Sequence, residues 1–97
     1  MIENIKTYRV VLFGRVQGVG FRYFVESIAS KYNINGYVRN TFDGKVEIVC
    51  QREEGDLKQF IDEIKKGPAF SAVTDIKIEE IKDSKKYSIF DIKFSQQ

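Results

Sequence analysis

Gly14-Arg15-Val16-Gln17-Gly18-Val19-Gly20-Phe21-Arg22 is the part of this chain best equipped for chemistry. Its glycines let the backbone turn sharply, so that successive N–H groups can point into one concavity. The apolar strand pattern Tyr8–Phe13 runs into the segment, and a helical pattern beginning near Phe21 runs out of it. A turn of this kind at a helix N-terminus suits an anion, because unpaired amides and the helix dipole both favour negative charge. Arg22 stands in the first helical turn, where the dipole would rather hold a carboxylate. A cation kept against that preference fits an external anion, so the composite reads as a phosphate cradle with a guanidinium clamp. Plainer readings stand beside it. The glycines could serve only a loop of unusual backbone angles, and Arg22 alone could be a solvated helix residue. Their combination favours the cradle.

What the chain lacks narrows the chemistry. It has no histidine, which excludes histidine triads, proton shuttles and the usual zinc sites. Its one cysteine, Cys50, cannot form an internal disulfide or a thiolate cluster, and reads as a small core residue in an alternating strand. No P-loop is present, and the carboxylates are scattered singly, with no group to hold magnesium. Neither metal nor cofactor is expected, so catalysis would rest on positioning and electrostatics. A net charge of +2 with interleaved signs weighs a little against nucleic acid as a partner. No apolar run approaches a membrane span, and Met1-Ile2-Glu3-Asn4-Ile5-Lys6 lacks a signal-peptide core. The expected address is the cytoplasm, with no membrane partner.

The elements that must position the cradle can be read from periodicity. At 97 residues, 42% apolar and 31% charged, the chain suits one domain spanning 1–97 with a single two-layer core. Tyr8–Arg15 reads as a strand with Val10 and Leu12 on one face and Val11 and Phe13 on the other, hence a central one. Phe21, Phe24, Val25, Ile28, Ala29 and Tyr32 recur at helical spacing, giving a first helix of about three turns that fades at Asn33, with Asn35-Gly36 as the stop. Tyr37–Asn40 and Lys45–Gln51 form two strands joined at the hairpin signal Asp43-Gly44. Leu57, Phe60, Ile61 and Ile64 define a second helix, led in near Asp56 and stopped by Gly67-Pro68. Val73–Ile81 is a fourth strand, Asp83-Ser84-Lys85-Lys86 a polar turn, and Tyr87–Phe94 a fifth strand.

Strand–helix–strand–strand–helix–strand is the split βαβ order of an α+β ferredoxin-like sandwich. Two helices should cover one face of an antiparallel sheet of order 4-1-3-2, with the fifth strand added at an edge. The right-handed crossover makes strands one and two parallel, so their carboxyl ends share a rim. The cradle follows strand one and Asn40 ends strand two, so Arg22 and Asn40 can converge on one anion. Asn35 and Gly67 are expected on the opposite rim.

The motifs Gly-Arg-Val-Gln-Gly-Val-Gly-Phe-Arg (14–22) and Gly-Tyr-Val-Arg-Asn (36–40), followed by Asp43-Gly44, resemble those of the acylphosphatase family. The likeness extends over nearly the whole chain in element order, length, the Gly67-Pro68 stop and the fifth strand. It implies hydrolysis of the carboxyl–phosphate anhydride of small acylphosphates without metal or cofactor. By the same resemblance Arg22 and the loop amides of Val16, Gln17, Gly18, Val19, Gly20 and Phe21 bind the phosphoryl group. Asn40 would hold the attacking water, and Thr41 matches a position that supports the asparagine. The same module opens the large hydrogenase-maturation carbamoyltransferases. This chain has no room for their other domains, so a free-standing, monomeric enzyme is the expectation.

Two other classes compete. An RNA-recognition module of this fold displays aromatic side chains on strands one and three. Strand one offers Tyr8 and Phe13, but Lys45–Gln51 contains no aromatic residue. A non-catalytic, anion-binding regulatory domain would carry the same cradle, and turnover of an acylphosphate separates it from an enzyme. Taken without the resemblance, Asn40 before a hairpin is an ordinary turn former. Arg15 and Arg39 read as charges flanking the site or on the surface, and Phe21 and Phe24 as core. Glu53-Glu54 reads as a solvated approach to the second helix.

Overall fold

A computed structural model describes residues 4–94; Met1–Glu3, the start of the N-terminal stretch read above, lie outside it, as do residues 95–97. The elements are β1 (Ile5–Arg15), α1 (Phe21–Tyr32), β2 (Asn35–Asn40), β3 (Val46–Glu53), α2 (Glu54–Ile64), β4 (Ala72–Glu80) and β5 (Phe90–Lys93). The sheet order is β4-β1-β3-β2-β5. β1 runs antiparallel to both β3 and β4, β2 antiparallel to β3, and β5 parallel to β2. β1 is therefore central, as its two apolar faces predict. The carboxyl ends of β1, β2 and β5 lie on one rim. This is the α+β ferredoxin-like sandwich, with the added strand beside β2.

Both helices bury their apolar stripes against one face of the sheet. Val25 and Ala29 of α1 and Leu57, Phe60 and Ile64 of α2 join Val10, Leu12, Val38, Ile48 and Cys50 in one core. Burial pushes the Cys50 thiol up to about 12, which suits its expected role as packing rather than nucleophile. Glu54 and Asp56 fall in the first turn of α2, where they complement the dipole. α1 ends at Tyr32, so the helix fades at Asn33 as its spacing predicts. Asn33 adopts the left-handed conformation (φ 56°), and its N–H reaches the carbonyls of Ala29 and Ser30. Asparagine tolerates that conformation better than most residues, so no glycine is needed there. Gly36 already belongs to β2 and serves close packing, because a Cβ at that position would lie 1.9 Å from the Val49 carbonyl oxygen.

Two departures concern the edges. β5 covers only Phe90–Lys93 rather than Tyr87–Phe94. The chain leaving β4 must cross the helix-free face of the sheet to reach the far edge beside β2. On the way, the Tyr87 N–H donates to the Gln51 side chain at 2.9 Å, so that backbone donor is committed before the ladder begins. The Gln51 amide in turn donates to the Thr7 hydroxyl and the Lys85 carbonyl, each at 2.9 Å. The crossing segment thus closes one end of the second face and buries Thr7 and Gln51. The other departure is a bulge in the β1–β4 ladder between Phe13 and Gly14. Gly14 has φ 118°, and a Cβ there would stand 2.1 Å from the Ala72 carbonyl oxygen, so the bulge requires glycine.

Candidate active site

The loop leaving the bulge begins the site. Gly18 and Gly20 both adopt left-handed angles, φ 73° and 77°. Gly20 is also the N-cap of α1, and it offers no side chain to the first-turn amides. Among the described residues, none of the N–H groups of residues 16–22 finds an acceptor. They are the unpaired donors that an anion would satisfy. The side chains of Val16 and Phe21 are buried in the core and anchor the two ends of the loop. Gln17 anchors its middle. Its amide donates at 2.8 Å to both the Thr41 and the Lys45 carbonyl oxygens, tying the loop to the β2–β3 hairpin.

Arg22 has no acidic companion in the first turn of α1. It forms no ion pair with a described carboxylate. One guanidinium nitrogen donates to the Lys93 carbonyl at 3.2 Å, and the group lies 5.0 Å from the centre of the Phe94 ring. These contacts fix its direction without neutralising it. Asn40 ends β2 on the same face as Val38, beneath the start of α1. Only 8% of it is exposed, yet its side-chain amide makes no hydrogen bond to any described residue. Among the described residues no buried side-chain nitrogen or oxygen lacks a hydrogen-bond partner, so the Asn40 amide atoms reach the solvent of the pocket, where they are available to a small polar ligand.

A pocket of about 140 Å³ joins Val16, Gly18, Gly20, Phe21, Arg22, Tyr23 and Asn40. The two residues proposed from sequence as catalytic therefore meet, as the shared rim predicts. Three others stand outside the lining. Gln17 holds the loop, Val19 packs half-buried against the core, and Thr41 belongs to the hairpin. The Thr41 hydroxyl donates to Asp43 at 2.5 Å and accepts from the Lys45 N–H at 3.0 Å, with no hydrogen bond to the Asn40 side chain among the described residues. Gly44 (φ 86°) closes that turn.

Arg15 and Arg39 are not among the pocket residues. Arg39 follows the strand alternation to the opposite face from Asn40, where it pairs with Glu47. Gly67 is on the pocket's rim, not the opposite one: α2 climbs back to that rim, and a Cβ on Gly67 would lie 3.1 Å from the Phe21 ring. Sequence reasoning missed Tyr23 in the lining and the carboxyl end of β5 behind Arg22. The second was within reach, since a strand added parallel to β2 must end on the same rim.

The sequence matches the family described as Acylphosphatase over residues 8–92. A relative named acylphosphatase from Bacillus licheniformis is 51% identical over 87 residues, covering 90% of this chain and 97% of that one. The crystal structure of acylphosphatase from Bacillus subtilis superposes with a TM-score of 0.89 at 43% identity, covering 92% of this chain and 99% of the other. Full-length HypF in a phosphate- and nucleotide-bound form matches with a TM-score of 0.88 at 40% identity, covering 95% of this chain and 12% of the larger one.

Proposed function

The chain belongs to the acylphosphatase family, and from that premise we propose how its own residues hydrolyse the carboxyl–phosphate anhydride of an acylphosphate. The observation that carries the proposal is the single pocket uniting Arg22, Asn40 and the glycine loop. The phosphoryl group sits in the loop, taking hydrogen bonds from the amides of residues 16–21 and from the free donors of Arg22. Asn40 holds a water molecule against the phosphorus. Water adds as the bond from phosphorus to the acyl oxygen breaks, and the acyl group departs as carboxylate.

A carboxylate is a good leaving group, so the reaction needs charge stabilisation and alignment more than a strong acid. Unpaired amides and a guanidinium supply the first in a small, partly enclosed site. The Asn40 amide cannot accept a proton at neutral pH, so a phosphoryl oxygen of the substrate takes the proton lost by water. No step calls on a metal ion or cofactor. We further infer a monomeric, cytoplasmic enzyme with no nucleic-acid partner. No helix among the described residues is long and apolar enough to cross a membrane.

Hydrolysis of benzoyl phosphate in excess chelator tests the mechanism. Activity should persist, and should change little between about pH 5.5 and 7.5, because the pocket lining contains no histidine, cysteine or carboxylate. Loss of activity restored by a divalent cation would overturn it.

A further inference from the structure

The pocket has an inner and an outer end, and the difference decides where the acyl group must go. Asn40, Val16 and Phe21 are buried, so the water-holding end is the inner one. The exposed lining residues are Gly18, Gly20 and Tyr23. Of these only Tyr23 has a side chain, and it is 60% exposed. Displacement at phosphorus places the attacking and leaving oxygens roughly in line. With water at the buried end, the acyl oxygen points outward, and a pocket of about 140 Å³ filled by a phosphoryl group leaves the acyl body outside.

What waits there is aromatic. The Tyr23 ring packs at a tilt against Phe94, with centroids 6.3 Å apart. Phe94, itself 63% exposed, also carries the Arg22 guanidinium on its ring. Two exposed rings braced against each other beside the phosphoryl-binding cation form a shelf at the pocket mouth. Paired exposed rings beside a binding pocket offer an apolar surface on which a ligand can lie.

We propose that Tyr23, backed by Phe94, is an acyl-group subsite that favours aromatic or bulky apolar acylphosphates over small ones such as acetyl phosphate. The subsite rests on the phosphoryl-binding reading of the pocket. Tyr23 is a specificity residue and takes no part in bond breaking. An acetyl group is too small to cover the shelf, whereas a benzoyl ring can lie on it.

The test compares benzoyl phosphate and acetyl phosphate in the parent, Tyr23→Ser and Tyr23→Phe, with competitive inhibition by inorganic phosphate measured in each. The parent should show the higher kcat/KM on benzoyl phosphate. Tyr23→Ser should lower that value about tenfold and the acetyl phosphate value less than twofold, with inhibition by phosphate unchanged. Tyr23→Phe should keep the preference. Equal losses on both substrates, or a preference that survives Tyr23→Ser, would overturn the subsite alone. A parent inert towards both compounds would overturn the subsite and the hydrolytic reading together.

Discussion

Replacing Arg22 by lysine keeps the charge and removes the planar set of donors. In the proposed mechanism Arg22 touches the phosphoryl group before and during the reaction. Arg22→Lys should therefore weaken competitive inhibition by phosphate and also slow turnover. In the same mechanism Asn40 acts on the water and not on the bound phosphate. Asn40→Ala should leave phosphate affinity nearly intact while turnover falls on the order of a hundredfold or more. Phosphate titration and steady-state kinetics on both variants separate the two roles. Asn40→Ala turning over at the parent rate would remove that residue from the mechanism. That Arg22 and Asn40 line one pocket was legible in the sequence, because each sits at the end of a strand or the start of a helix, where topology dictates position; their roles came from the family resemblance. The braces of Arg22 were not, because Phe94 meets it only through tertiary packing.

At the scale of elements, the site depends on a loop and a hairpin held in register by one side chain. Gln17 links them through two hydrogen bonds, to Thr41 and Lys45, and does not line the pocket. Gln17→Ala should lower kcat/KM about tenfold, because small displacements of a cradle are costly in rate. The fold should survive with a loss of about 1–2 kcal/mol, seen as a lower urea midpoint with unchanged far-ultraviolet circular dichroism. Undiminished activity would mean that the loop holds its shape without the link. Periodicity located both helices and the strands around this site, since amphipathic spacing directly records which face is buried. It overran β5, because a segment bonded to the Gln51 side chain has the same local composition as a strand. It also placed Gly67 on the wrong rim, since a helix stop says nothing about direction through the sheet.

Across the whole molecule, the helix-free face of the sheet is held by ion pairs that link four strands, each to its neighbour. Glu47 of β3 accepts from Arg9 of β1 at 2.5 Å and from Arg39 of β2, and Arg9 also reaches Glu79 of β4 at 2.9 Å. Sequence reading left these carboxylates as scattered, since no local pattern couples Arg9 to Glu47 or Glu79, although the β2–β3 hairpin register sets Arg39 opposite Glu47. Burial pushes the Glu47 carboxyl up, but Arg39 and Arg9 outweigh it and hold it below the ordinary carboxylate range. A depressed native value means that the pairing stabilises the fold above the unfolded carboxylate pKa of about 4.3, and is lost as pH falls through the lower native value. Glu47→Gln should therefore cost about 2 kcal/mol at pH 7 and much less near pH 3. Urea melts of parent and variant at the two pH values check this. An equal gap at both would show that the pairing is not what Glu47 contributes.

The central position of β1 also has a kinetic side. Tyr8 pairs with Cys50 on one side and with Glu80 on the other, so the first strand completes its ladders only when the last third of the chain returns. Contacts this distant in sequence raise the contact order and slow the search for the native topology. The glycine loop leaves β1 through a bulge in the ladder with β4, so it should take its final shape only once β4 has paired. Phosphate should then slow unfolding while leaving the refolding rate unmoved, and the two arms of a stopped-flow chevron would record that asymmetry.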